Sequence, residues 1–102
     1  MRVIHGGTVK KWAGQFPDAA VALAAWLKNG DRAAWRNIAE VRRVYPHADP
    51  VEVESGRTVV VFNVRGNRYR LITAIHYNRQ VIYTLRFMTH AEYSKDRWKD
   101  TL

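Results

Sequence analysis

The sequence predicts an α+β domain in which N-terminal helices pack on a C-terminal antiparallel sheet, with a short helix at the C-terminal end. Three observations predict it. Apolar residues recur at three- and four-residue spacing up to Val44; segments rich in Val, Ile, Thr, Tyr and Phe follow from Val51; and turn residues punctuate that second half at Ser55-Gly56, Arg65-Gly66-Asn67 and Tyr77-Asn78-Arg79-Gln80. Helical periodicity followed by strand periodicity is the order of an α+β fold. A length of 102 residues suffices for one domain, read over 1–102, with one modest core.

Arg2 to Ile4 is read as a short edge strand. Val9, Trp12, Ala13 and Phe16 then mark one face of a first helix, with Thr8 as its N-cap. Pro17 interrupts the pattern, and Ala19, Ala20, Leu23, Ala24 and Leu27 mark a second helix that Asn29-Gly30 would end in a left-handed cap. A third helix starts at Asn37, with Glu40 as capping-box partner, and closes at Tyr45-Pro46. Strands are expected at 51–54, 57–64, 68–77 and 81–89, with a helix beginning near His90.

Alternation sorts the last two strands by face. Tyr69, Leu71, Thr73, Ile75 and Tyr77 share one face, and Arg68, Arg70, Ile72, Ala74 and His76 the other. In the last strand Val81, Tyr83, Leu85, Phe87 and Thr89 oppose Ile82, Thr84, Arg86, Met88 and His90. Matching apolar faces through a three-residue loop at 78–80 sets Tyr77 against Val81, Arg70 against Met88 and Arg68 against His90. Arg70 is then diagonal to Arg86 and His90, about 7–8 Å away between backbones.

The chain carries 17 Lys and Arg against 9 Asp and Glu, a formal +8, and a field of that sign attracts phosphate backbones or acidic proteins. From Arg57 to His90 there are six arginines and no carboxylate. Arg68, Arg70, Arg86 and His90 on one face repel one another, so an anion is expected among them. The competing reading is that the arginines splay into water while their stems cover apolar surface. With no cysteine there is no disulfide or thiolate metal site, and no signal peptide or membrane span can be drawn, so a cytoplasmic protein is expected. His5, His47, His76 and His90 lack paired zinc spacings, Gly66 stands alone rather than in a phosphate loop, and neither metal nor cofactor is expected. The tryptophans at 12, 26, 35 and 98 read as packing.

RNA can be cut without a metal when its 2′-hydroxyl attacks the adjacent phosphate. That reaction asks for a base, for cations on the phosphoryl oxygens and for an acid at the leaving oxygen. Arginine suits the second task because its planar fork binds phosphate oxygens in pairs. His90 has the proton chemistry for base or acid, Tyr93 can donate a proton or stack on a nucleobase, and Lys95 can hold the backbone. Glu92 points away from His90 and reads as a first-turn acid.

The segment VFNVRGNRYRLITAIHYNRQVIYTLRFMTHAEYSK, residues 61–95, resembles the HigB family of bacterial toxins within the RelE-like group. The likeness is carried by Phe62-Asn63, Gly66-Asn67-Arg68-Tyr69-Arg70 and Thr89 to Tyr93, and WRNIAEVRRVYPHAD at 35–49 also matches the family pattern. Arg65 stands where relatives often carry a small residue. The resemblance implies a type II toxin that cleaves messenger RNA, commonly on the translating ribosome, and a helix-turn-helix antitoxin of the HigA type that neutralises it. The resemblance carries over Arg68, Arg70, His90 and Tyr93 as motif positions, and strand geometry alone adds Arg86; Arg70, Arg86, His90 and Tyr93 are expected to carry catalysis, and Arg65, Arg68, Arg79 and Lys95 to dock the RNA. A non-catalytic RNA- or ribosome-binding module, and a protein-only partner of acidic ligands, are the alternatives.

Overall fold

The computed structural model describes residues 1–102. Strand β1 (Arg2–Ile4) leads into helices α1 (Gly6–Gln15), α2 (Ala20–Arg32) and α3 (Ile38–Val44). Strands β2 (Asp49–Glu52), β3 (Thr58–Val64), β4 (Tyr69–His76) and β5 (Val81–Thr89) follow, and then α4 (His90–Ser94) and a 3-10 turn at Arg97–Thr101. The α+β class holds, with helices first, sheet second and a short closing helix. The sheet order is β1-β5-β4-β3-β2, and β1 runs parallel to β5, so the sheet is mixed at that edge rather than wholly antiparallel. No helix is long and apolar enough to cross a membrane.

The helix ends correct two expectations. Helix α1 begins two residues before Thr8, because His5 adopts a left-handed conformation (φ 70°) and its carbonyl accepts the amides of Thr8 and Val9. Thr8 therefore lies inside the first turn and caps nothing. Asn29-Gly30 does not end α2, which runs on to Arg32. Gly30 is buried where the helix crosses the sheet, and a Cβ there would sit 3.1 Å from Val3 Cγ2 and 3.6 Å from Ile82 Cδ1. This glycine serves close approach of helix to sheet rather than a turn. At α3 the Asn37 side chain accepts the Glu40 amide at 3.0 Å as expected, while the Glu40 carboxylate reaches back to the amide of Arg36 rather than of Asn37.

Strand β2 starts two residues earlier than expected, at Asp49 opposite Val61. The β4–β5 connection holds four residues, Tyr77 to Gln80, because a 3-10 turn at 77–79 is followed by Gln80 in the left-handed region (φ 55°). His76, not Tyr77, faces Val81. A bulge then restores the expected register: Thr73 pairs with Thr84 but Ile72 with Arg86, so Leu85 is the extra residue, and Arg70 lies opposite Met88. The bulge also reverses the face of the first half of β5. Ile82 packs with the helices alongside Leu71 and Phe87, whereas Leu85 belongs to the opposite face.

Two cores result where one was expected. The larger lies between the helices and the sheet, with Phe62 ringed by Trp26, Trp35 and Tyr45, and Phe87 by Trp12, Phe16 and Tyr69. The smaller covers the other face: Val59, Val61 and Ile72 lie under Trp98 of the C-terminal turn, with Met88 and Tyr93 at its margin. Aromatic pairs of this kind add about 0.5–1.5 kcal/mol each beyond the area they bury. The second core places α4 and the C-terminal turn beside the arginine-bearing face.

Candidate functional site

A cleft of about 600 Å³ opens on the sheet face away from the large core, and Arg42, His47, Asp49, Asn63, Arg70 and Tyr93 line it. Strand register builds its floor. Asn63 pairs with Arg70, and Arg70 with Met88, so these side chains share one row on one face. The connection from α3 to β2 forms one wall, held by the Arg42 Nε–H donated to the Ala48 carbonyl at 2.9 Å. Tyr93 of α4 forms the other.

Arg70 is buried, with 8 % of its surface exposed. Its Nη1 donates to the carbonyls of Tyr69 (3.0 Å) and Asn67 (3.3 Å), and its Nη2 to Asn67 Oδ1 (2.6 Å). Its guanidinium carbon stands 5.5 Å from the centre of the Tyr93 ring. All of the chain's ion pairs involve other residues, so no carboxylate lies within ion-pair distance of this buried cation, although Asp49 lines the same cleft. Three of a guanidinium's five N–H donors are engaged, which leaves two, Nε–H among them, for an incoming anion.

Tyr93 is half-buried and stacks on Trp98, ring centres 5.2 Å apart at 18°, while the Trp98 indole N–H donates to the Tyr93 carbonyl at 3.1 Å. Burial pushes the Tyr93 hydroxyl above the ordinary phenol range, the Asp49 carboxylate adds to the shift, and the Arg70 charge opposes it. The hydroxyl therefore stays protonated across physiological pH and can donate a proton.

Arg86, opposite Ile72, lies on the same face diagonal to Arg70, and its Nη1 donates to Thr101 Oγ1 at 3.0 Å. His90 is the exposed first residue of α4, and its amide donates to the Arg68 carbonyl at 2.8 Å, so these two residues do meet. The His90 imidazole is not among the cleft-lining groups. The Thr89 hydroxyl caps α4 by accepting the Glu92 amide, and Lys95 pairs with Glu92 at 3.3 Å on the exposed surface.

The other cations are dispersed. The Arg68 side chain leaves the Arg70 face and reaches Asp18 at 3.0 Å, and Arg65 donates to the Asp18 carbonyl at 2.7 Å from a left-handed turn position (φ 52°). Tyr69 donates its hydroxyl to the same carboxylate at 2.7 Å. That hydrogen bond, reinforced by Arg68 and Arg65, holds the Asp18 carboxyl below the usual carboxylate range. The acid missing from the arginine-rich stretch thus arrives from the 3-10 turn at Pro17–Ala19, between α1 and α2. Arg79 sits in the turn after β4, about 20 Å or more along the strand from Arg70 at about 3.3 Å per residue.

Arg42, His47, Asp49 and Asn63 were not singled out from the sequence. A signal existed for two of them. Pairing β2 with β3 across the Ser55-Gly56 turn sets Asp49 beside Val61, and the alternation of β3 then puts Asn63 on the Arg70 face. Arg42 and His47 are brought in by the helix-to-strand connection, which carries no periodicity.

No curated protein matches the chain. The family model described as HigB_toxin, RelE-like toxic component of a toxin-antitoxin system, matches residues 19–96, well over half of the sequence and including every cleft-lining residue. The chain therefore belongs to the HigB family of RelE-like toxins, the toxic halves of systems whose other component is an antitoxin.

Proposed function

We propose that this toxin is an endoribonuclease that cleaves messenger RNA on the translating ribosome, and thereby arrests translation and growth, until a helix-turn-helix antitoxin of the HigA type neutralises it. The observation that carries the reading is Arg70: a buried guanidinium with no acid partner and two donors unspent beside an open cleft. A buried cation without a counter-ion is costly, and a phosphodiester is the anion that a planar fork in a cleft suits.

In the proposed reaction the 2′-hydroxyl of the RNA gives up its proton to a base and its oxygen attacks the adjacent phosphorus. The P–O5′ bond breaks, leaving a 2′,3′-cyclic phosphate and a 5′-hydroxyl. The metal-free course needs only groups that hold charge and move protons. Arg70 stabilises the negative charge growing on the phosphoryl oxygens, with Arg86 on the same face as a second cation. The Tyr93 hydroxyl, kept protonated by burial, gives its proton to the departing 5′ oxygen. His90 opens α4 and Lys95 follows its last residue, where flanking RNA would run; Arg65 and Arg68 reach that path only by leaving Asp18.

The test is to incubate the purified protein with translating ribosomes and map message ends. New 5′-hydroxyl ends that vanish in Arg70→Ala support the reading. Ribosome association without new ends would replace it with a non-catalytic binding module.

A further inference from the structure

The wall of the cleft opposite Tyr93 carries an imidazole that neither sequence spacing nor the family match singles out. His47 is exposed in the turn between α3 and β2, and it lines the same cleft as Arg70. The connection from α3 to β2 brings it there. Two residues on, Asp49 opens β2 opposite Val61, and Asn63, two residues beyond Val61 on β3, pairs with Arg70. His47, Arg70 and Tyr93 all line this one cleft. The turn that presents His47 is pinned on either side, by the Ala48 amide on the Tyr45 carbonyl at 2.9 Å and by Arg42 on the Ala48 carbonyl.

We propose that His47 is the general base of the cleavage reaction, accepting the 2′-hydroxyl proton from an RNA phosphodiester held by Arg70, while Tyr93 serves as the acid on the opposite wall. This inference rests on the endoribonuclease reading. The proton taken from O2′ goes to the unprotonated ring nitrogen of His47, the O2′–P bond forms as P–O5′ breaks, and O5′ leaves with the Tyr93 proton. Solvent then removes the proton from His47 and returns one to Tyr93, so the site is restored. The lining of the cleft is the reason to prefer His47: it borders the cleft together with Arg70 and Tyr93, whereas the His90 imidazole does not. His90 belongs to the same short helix as Tyr93 and would approach from the acid's side.

Four variants decide the matter on translating ribosomes: His47→Ala, His90→Ala, Asp49→Asn and, as a control at the far end of β4, His76→Ala. The expected result is a cleavage rate lowered about 100-fold or more in His47→Ala. Binding of a fully 2′-O-methylated, uncleavable RNA should stay within about threefold of wild type, as a base contributes proton transfer rather than affinity. The charged and titratable groups lining the cleft around His47 are Arg42 of α3, Asp49 of β2, Arg70 of β4 and Tyr93 of α4. Of these Asp49 is the other one able to make the rate rise with pH from the acid side. The rise should therefore persist in Asp49→Asn and flatten in His47→Ala, and added imidazole should restore part of the lost rate. A His47→Ala protein that cleaves at the wild-type rate, or a loss confined to His90→Ala, overturns the proposal while leaving the nuclease reading intact. A wild-type protein that produces no cleavage overturns both.

Discussion

Replacing Arg70 with methionine should separate what this residue does for the fold from what it does for the cleft. The substitution keeps a long, flexible, apolar stem and removes the charge. Lost are three charge-assisted hydrogen bonds, at about 1.5 kcal/mol each, and a contact with the Tyr93 ring of about 1 kcal/mol, roughly 5 to 6 kcal/mol in all. Gained is relief from holding an unneutralised guanidinium at 8 % exposure, a penalty of several kcal/mol, together with a thioether against an aromatic ring. The two sides cancel to within about 2 kcal/mol, less than about 15 °C in melting temperature for a domain of this size. Cleavage by contrast should fall about 100- to 1,000-fold, the usual cost of losing one charge-stabilising donor. Thermal melts read the first quantity and primer extension on translated message the second. A melting temperature reduced by more than about 20 °C would mean that Arg70 is chiefly a structural strut, and the argument from its unpaired charge would fail.

Other consequences are open to similar checks. Tyr93→Phe keeps the stack on Trp98 and deletes the hydroxyl, so uncleavable RNA should bind normally while cleavage slows about 100-fold or more; an unchanged rate would remove the acid role and leave stacking. Because the Tyr93 hydroxyl titrates above the ordinary phenol value, loss of its proton should not depress wild-type activity below about pH 10. Trp98→Ala empties the roof of the smaller core and should cost about 3–5 kcal/mol in urea unfolding; a loss under about 1 kcal/mol would show that the C-terminal turn is not docked in solution. Asp18 has a folded pKa below its unfolded value, so its contribution is full above the ordinary carboxylate value near 4 and is lost as pH falls through the folded one. Melting of Asp18→Asn should therefore lie below wild type at pH 6 and converge with it towards pH 3, and a gap that stays constant would refute the linkage.

The element types were legible because their signals are local. Asn37 announces α3 through its own side chain, and the alternation from Val59 to His76 can be read as two strands without knowing what they touch. Gly30 misled for the opposite reason: asparagine-glycine is a stop signal by propensity, but the glycine's neighbours are Val3 and Ile82, one 27 residues before it and the other 52 after. Charge was misread in the same way. Arg65 and Arg68 look free within their own stretch, and only the tertiary fold brings Asp18 to them. The row holding Arg70, Met88 and Asn63 follows from strand parity, whereas the His47 wall depends on how an irregular connection turns after Pro46.

The extra residue at Leu85 divides β5 into two half-strands of opposite phase: even-numbered residues such as Ile82 point to the helices before it, and the odd-numbered Phe87 does so after it. It works as an expansion joint. A one-residue change in the 77–80 loop can be absorbed at the joint, by losing or moving the bulge, and leave Met88 beside Arg70. The same change beyond Leu85 has no such outlet and would turn Phe87 out of the large core as it turned Met88 in. Loop variation at the far end of the hairpin is thus insulated from the cleft, and the stretch from Arg86 to Thr89 is the part of the strand that cannot drift by a residue.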